Sequence, residues 1–245
     1  MALPTKVTKV QSVDPDRMIV ASFPKTGKTS VFSELTLGGK WLVLDMENGS
    51  KFIENLRVSI DSPEGLLKLG DEIKKADFPY EGLIIDSLTV LENLAKQVAT
   101  DKYRNSLIGS TWAGDDIIDL PRGAGYGFLR KAFFEIIEFI ETLSPKTIYL
   151  GHLKASTIGE EEDAITALQL DLLGKTPKIF ASKVDAIGFM RRDEENNTII
   201  DFATSNEQYA GARAEHLQEK AITVAKKVDS KLIVDLSGIY TKKCH

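Results

Sequence analysis

Apolar runs of strand length alternate along this chain with segments whose apolar positions recur every three or four residues. That alternation predicts a mostly parallel sheet with crossover helices. The run Met18-Ile19-Val20-Ala21 predicts a strand over residues 17–22. A helix is expected from Gly27 to about Leu37, stopped by Gly38-Gly39. A second strand follows over residues 40–45. Ser62-Pro63-Glu64 then opens a helix to about Ala76, with Ser62 as cap and Pro63 in the first turn. The third strand is expected over residues 82–86 and its helix over 88–103. Residues 105–125, rich in Gly, Ser and Asp, predict a long loop, and a strongly apolar helix is expected over 126–143. A fourth strand over 146–151 leads into a second polar loop, 154–174. That loop carries Glu160-Glu161-Glu162-Asp163, and its Ala164–Leu173 part is expected to be briefly helical.

Downstream, the pattern predicts a short helix near residues 177–182 and a strand over 184–191. A turn at Glu195-Asn196-Asn197 precedes a further strand over 198–204. An amphipathic helix is expected over 211–228, and residues 231–240 read as an edge strand or a docking tail. The fold class expected is α/β, a mostly parallel central sheet flanked by helices with a C-terminal antiparallel extension. No internal repeat or Pro/Ser-rich linker divides the chain. One domain is expected over 1–245, with a core of about 15–205 and a C-terminal helix and tail over 206–245.

Composition narrows the class. The 245 residues are 42% hydrophobic and 27% charged, ordinary for a globular protein with a sizeable core. No uncharged apolar run approaches a membrane span, and the start of the chain lacks the apolar core of a signal peptide. The single Cys244 excludes an intramolecular disulfide and fits a reducing, cytoplasmic setting without establishing one. With three scattered histidines it offers no zinc spacing. The net charge of −5 weighs against strong, autonomous, sequence-independent DNA binding, although 31 Lys and Arg residues leave room for a local basic patch.

Chemistry concentrates at four strand ends. Ser22-Phe23-Pro24-Lys25-Thr26-Gly27-Lys28-Thr29-Ser30 follows the first strand and precedes a helix. It fits the phosphate-loop pattern G-x-x-x-x-G-K-[ST], with Ser22 in place of the first glycine. Gly27 lets the backbone approach phosphate oxygens, Lys28 reaches the β- and γ-phosphates, and the Thr29 hydroxyl suits Mg²⁺. Lys25 adds a cation that either contacts phosphate or stays solvated. The bland alternative is a chance Gly-Lys-Thr at a helix start. The third strand ends in Asp86-Ser87, where a carboxylate can complete a Mg²⁺ shell or merely cap a helix. The second strand ends in Asp45-Met46-Glu47, two carboxylates at the ligand edge of an open sheet. Glu47 is the candidate base for a water attacking the γ-phosphate, unless both are simply solvated acids. His152, at the tip of the fourth strand, is a candidate γ-phosphate sensor or an ordinary structural histidine.

With these four segments in order, the chain resembles the RecA-fold ATPases over roughly residues 15–205. The resemblance implies a RecA-like P-loop NTPase fold that takes ATP and Mg²⁺. It places Glu47 as catalytic glutamate, Asp86 and Thr29 at the metal, and His152 as the polar sensor. It also implies two DNA-binding loops, at about 105–125 and 154–174, although the second is acidic. The compact size is similar to small phage and prophage RecA-like proteins, often grouped with AAA-family ATPases, that serve recombination and single-strand annealing. That subgroup implies a late basic residue, for which Arg213 is the candidate, reaching a neighbour's γ-phosphate as an arginine finger. Homo-oligomers with sites between subunits are implied as well, assembled through the N-terminal arm or the C-terminal helix. So is a single-strand-binding protein as partner.

Three functions remain open on the sequence. The first is an ATPase of DNA recombination, repair or annealing, with Trp112, Tyr126, Arg122 and Arg130 offering stacking and phosphate contacts to single-stranded DNA, and with core packing as the alternative for Tyr126 and Phe128. The second is a nucleotide-dependent switch or assembly module whose target is a protein, which the acidic charge favours. The third, a small-molecule kinase, fits Asp45-Met46-Glu47 less well than water activation does.

Overall fold

The runs richest in β-branched and aliphatic residues form the centre of one large sheet in the computed structural model, which describes residues 13–158, 165–205, 209–229 and 231–241. β1 (Arg17–Ser22), β2 (Trp41–Asp45), β3 (Arg57–Ser59), β4 (Gly82–Asp86), β5 (Lys146–Ile158) and β7 (Ala186–Arg192) run parallel. β6 (Ile165–Leu170), β8 (Thr198–Asp201), β9 (Gly211–Ala212), β10 (Ala221–Val228) and β11 (Lys231–Val234) are antiparallel to their neighbours. The order across the sheet is β11-β10-β8-β7-β1-β5-β4-β2-β3, with β6 on β5 and β9 on β7. The fold is therefore α/β, a mostly parallel sheet flanked by helices with antiparallel strands at the C-terminal end, as the pattern of the chain implies.

Both faces are buried at the centre of the sheet, which is why its central strands read as unbroken apolar runs. Alternate residues divide between two cores. Ile19, Ala21, Leu42, Leu44, Leu83, Ile85 and Tyr149 face one side, where α2 (Pro63–Lys75), α3 (Leu88–Arg104), α4 (Ala124–Glu141) and α5 (Thr176–Lys183) pack. Met18, Val20, Trp41, Val43, Ile84, Ile148 and Leu150 face the other side, covered by α1 (Lys28–Ser33) and by Leu236, Ile239 and Tyr240. Ser62 caps α2 as expected, its hydroxyl accepting the Gly65 N–H at 3.2 Å, with Pro63 in the first turn.

Two expected helices are strands. Residues 164–173 were to hold a short helix, but β6 lies there and pairs with β5 from Leu153↔Leu170 to Ile158↔Ile165. β5 runs on beyond the sheet, and its free edge recruits Ala- and Leu-rich sequence that local propensity alone would make helical. The acidic cluster Glu160–Asp163 lies outside the described residues. The amphipathic helix expected over 211–228 is replaced by β9, a 3-10 turn at Glu215–Leu217 and β10. A bulge between Thr223 and Ala225 brings Val224 and Ala225 to the core in succession. That break in the two-residue period makes the strand look helical in sequence. The expected C-terminal helix is thus absent among the described residues, and β11 is the edge strand that residues 231–240 suggested.

Candidate functional site

At the C-terminal edge of the sheet, four strand ends converge because β5 lies between β1 and β4, and β4 between β5 and β2. β1 delivers the loop from Ser22 to Gly27. Ser22 is fully buried, and its hydroxyl donates to the Phe23 carbonyl at 2.8 Å. Thr26 Oγ1 donates to the same carbonyl at 2.8 Å, closing the loop on itself. Phe23, Pro24 and Lys25 form its exposed crest. Two positions take positive φ, Lys25 at 64° and Gly27 at 104°, and the second favours glycine. Lys28, Thr29 and Ser30 begin α1, whose first hydrogen bond runs from Val31 N–H to Gly27 O at 3.0 Å. The backbone N–H groups upstream of Val31 have no partner within the helix.

Lys28 is 6% exposed and points back under the loop, donating from Nζ to Ser22 Oγ at 2.9 Å. Burial lowers its pKa, while the carboxylates of Asp86 and Glu47 push it back up. The serine that departs from the phosphate-loop pattern therefore has a local task, holding the buried ammonium.

Asp86 ends β4 and accepts the Thr29 hydroxyl at 2.6 Å. Burial is the main reason its pKa is raised; the Thr29 hydrogen bond opposes the rise, Glu47 and Asp45 add to it, and Lys28 opposes it. This buried carboxylate is short of positive charge. With the Thr29 hydroxyl 2.6 Å away it offers two hard oxygen donors, the ligand type Mg²⁺ prefers.

Glu47, just beyond β2, reaches across to two neighbours. Its Oε1 accepts the Ser87 hydroxyl and lies 3.1 Å from His152 Nε2. Oε2 has no partner among the described hydrogen bonds. His152 sits where β5 leaves the sheet, and its buried Nδ1 has no partner among the described residues. Asp45 turns away from this cluster. Its carboxylate accepts the Gly49 N–H at 3.2 Å, the Ser50 N–H at 3.1 Å and the Ser50 hydroxyl, so it fixes the turn that carries Glu47.

The sheet thus gathers Ser22, Lys28, Thr29, Glu47, Asp86 and His152 at one place. Arg213 is not among them in its own chain. It lies at the opposite edge of the sheet, donating to Ser182 O at 2.7 Å and pairing with Asp185 at 3.4 Å, next to the first residues of β7. Sequence reasoning missed Arg192. It ends β7, β1's other neighbour, and its Nη2 lies 3.5 Å from Thr26 O. The available signal was Arg191-Arg192 closing an apolar run, one strand tip among several.

The two loops expected at DNA differ from each other. Residues 105–123 run through turns and then two 3-10 segments, Ile117–Asp119 and Pro121–Gly123, with Leu107 98% and Ile108 82% exposed. Trp112 packs edge-on against Tyr103, with the Arg104 guanidinium over its ring. Tyr126 and Phe128 on α4 are both exposed, although Phe128 also meets Tyr103 edge-on. The second loop is the hairpin of β5 and β6, rising from His152. Among the described residues no group of His, Cys, Asp and Glu forms a metal cluster of its own, and no helix is long and apolar enough to cross a membrane.

Comparison with known proteins gives one family. The family described as AAA domain matches residues 14–214, most of the chain. No curated protein matches. Among solved structures, the crystal structure of the RadB recombinase is similar at 11% identity, covering 90% of this chain and 91% of that one. The TM-score between the two is 0.46.

Proposed function

The chain belongs to the AAA domain family, and from that premise we propose that it binds ATP with Mg²⁺ and hydrolyses the γ-phosphate. The observation that carries this reading is the convergence of Lys28, the Thr29–Asp86 pair and the Glu47–His152 pair at one sheet edge. The loop amides and Lys28 bind the phosphates, Lys28 exchanging the Ser22 hydroxyl for a phosphate oxygen. Thr29 and Asp86 would hold the cation. Mg²⁺, when bound, would supply charge neutralisation to the phosphates. Glu47, with Oε1 held by Ser87 and His152, leaves Oε2 to take the proton of an attacking water. His152 ties that carboxylate to the base of the β5–β6 hairpin, so loss of the γ-phosphate is felt at the hairpin.

The role we propose is in DNA recombination, repair or single-strand annealing, with single-stranded DNA as activator. The resemblance of the sequence supports it, together with a hairpin that begins at the sensor residue and an exposed Tyr126 whose ring lies against Gly174 just past β6. Assembly into a homo-oligomer would bring a neighbour's Arg213 to the site, and a single-strand-binding protein is the partner we expect. A second reading, a switch acting on a protein, is favoured by one observation. Trp112 is committed to Tyr103 and Arg104, while the loop tip presents Leu107 and Ile108, apolar rather than basic.

Steady-state ATP turnover with and without single-stranded DNA separates the two. Stimulation by DNA, weakened by rising salt as phosphate contacts demand, is the result expected. Turnover indifferent to DNA moves the search for the activator to proteins. No turnover under any condition contradicts the hydrolytic reading.

A further inference from the structure

We propose that Arg192 is a second cation of the phosphate loop, gripping the α-phosphate end of the nucleotide from within the same chain. The inference rests on the ATP reading above. β7 lies beside β1 on the side away from β5, and the register Ala21↔Phe189 carries Arg192 past the strand to the level of the loop. Its guanidinium lies at the end of the loop, beside Thr26 and Gly27. Nη2 is 3.5 Å from Thr26 O, and it lies 3.7 Å from where a Cβ on Gly27 would stand. A Cβ there would only make an ordinary contact with the arginine; the glycine is required by its φ of 104°.

The arm is held in place. Nη1 donates to Asn196 O at 3.0 Å, within the β7–β8 turn. Asp193 braces that turn, accepting the N–H groups of Glu195 at 3.0 Å and Asn197 at 2.8 Å, and the Asn197 side-chain amide at 3.0 Å. The charge, by contrast, is left without a counter-ion. Arg191 pairs with Asp201 at 3.5 Å, whereas Arg192 has no carboxylate partner among the described residues. Carbonyl contacts position a guanidinium without neutralising it, and such a group beside a phosphate loop favours an anion, with forked donors that match phosphate oxygens.

The end of the nucleotide follows from the sheet order. Glu47, Asp86 and His152 come from β2, β4 and β5, all on one side of β1, and that side receives the γ-phosphate. Arg192 comes from the other side. Its contact therefore falls on the part that remains after hydrolysis, and it is made alike in ATP, in the transition state and in ADP. Binding of that kind lowers KM without raising kcat.

The test is calorimetric binding of ADP and of a non-hydrolysable ATP analogue, with steady-state kinetics, on the wild type, Arg192→Ala and Arg192→Lys. Arg192→Ala is expected to weaken both nucleotides about tenfold, the size of one partly screened charged hydrogen bond. KM should rise in step while kcat stays within about twofold. Arg192→Lys keeps the charge but not the fork and should fall between. Unchanged ADP affinity in Arg192→Ala overturns the inference. So does a fall in kcat with ADP affinity intact, which would assign the arginine to the γ-phosphate. A fall in thermal midpoint with no change in ADP affinity marks a merely structural arm and overturns it too. A wild type that binds nucleotide while the variant binds equally well sinks this inference alone. A wild type that binds none sinks the ATP reading and this inference with it.

Discussion

Asp86 shows how much of the site is defined by unbalanced burial. Its pKa is raised from 3.8, first by burial and then by Glu47 and Asp45, against Thr29 and Lys28. A raised value in the folded state means that the unfolded chain loses this proton first as pH climbs. The stability present at low pH is then lost as pH rises from the unfolded value through the folded one. Asp86→Asn removes that loss. Without nucleotide or Mg²⁺, the variant should be more stable than the wild type at about pH 8, and the difference should shrink as the pH falls toward about 4. Urea denaturation of both proteins at the two pH values checks this, and a gap that widens on acidification would contradict it. The same substitution should remove the dependence of nucleotide affinity on Mg²⁺, because a carboxamide is a poor ligand for a hard cation. Lys28 shows the converse arrangement, a buried ammonium whose pKa burial lowers while Asp86 and Glu47 oppose the fall, and whose Nζ donates to Ser22.

At the scale of elements, the hairpin of β5 and β6 is the part most closely tied to the site. Its base is latched to α3 by Glu92, whose buried carboxylate accepts the Leu173 N–H at 2.9 and 3.1 Å. Lys154 Nζ donates to Leu172 O at 2.7 Å, and Asp171 N–H to His152 O at 2.8 Å. Glu92→Ala leaves the Leu173 N–H without its acceptor and should cost about 1–3 kcal/mol. The loss should be local, seen as faster amide exchange at Leu173 and along β6 with β1 and β4 unaffected. Uniform loss of protection across the sheet would contradict a latch.

This hairpin is also where the sequence misleads. The phosphate loop, Asp86-Ser87 and the Asp45-Met46-Glu47 end could be read from the chain because each depends on local spacing beside an apolar strand. The pairing of β6 with β5, and of β10 with β8 across a bulge, depends on partners distant in sequence. Local periodicity carries no trace of those partners, and helix-forming residues such as Ala, Leu, Gln and Lys misdirect it. The sequence already singled out Glu47 as the candidate base, and the structure adds what Asp45 does instead: it fixes a turn, while Glu47 faces His152. Arg192 was hidden, since only the adjacency of β7 and β1 brings it to the loop.

Over the whole molecule, one sheet does the assembling. β5 inserted between β1 and β4 puts His152 between the phosphate loop and Asp86, and β2 beyond β4 lets Glu47 reach back across Ser87. Arg213, at the far edge, does not reach the site of its own chain, so the proposed finger would have to come from a neighbour. The central claim is that the residues gathered at this edge form a hydrolytic site with Glu47 as its base. Its most direct test is ATP turnover by the wild type and Glu47→Gln, with binding of ATP and Mg²⁺ measured on both. Glu47→Gln is expected to bind ATP within a few-fold of the wild type and to lose about 10²–10⁴ in kcat, the scale of general base catalysis. Glu47→Gln turning over at the wild-type rate would contradict it.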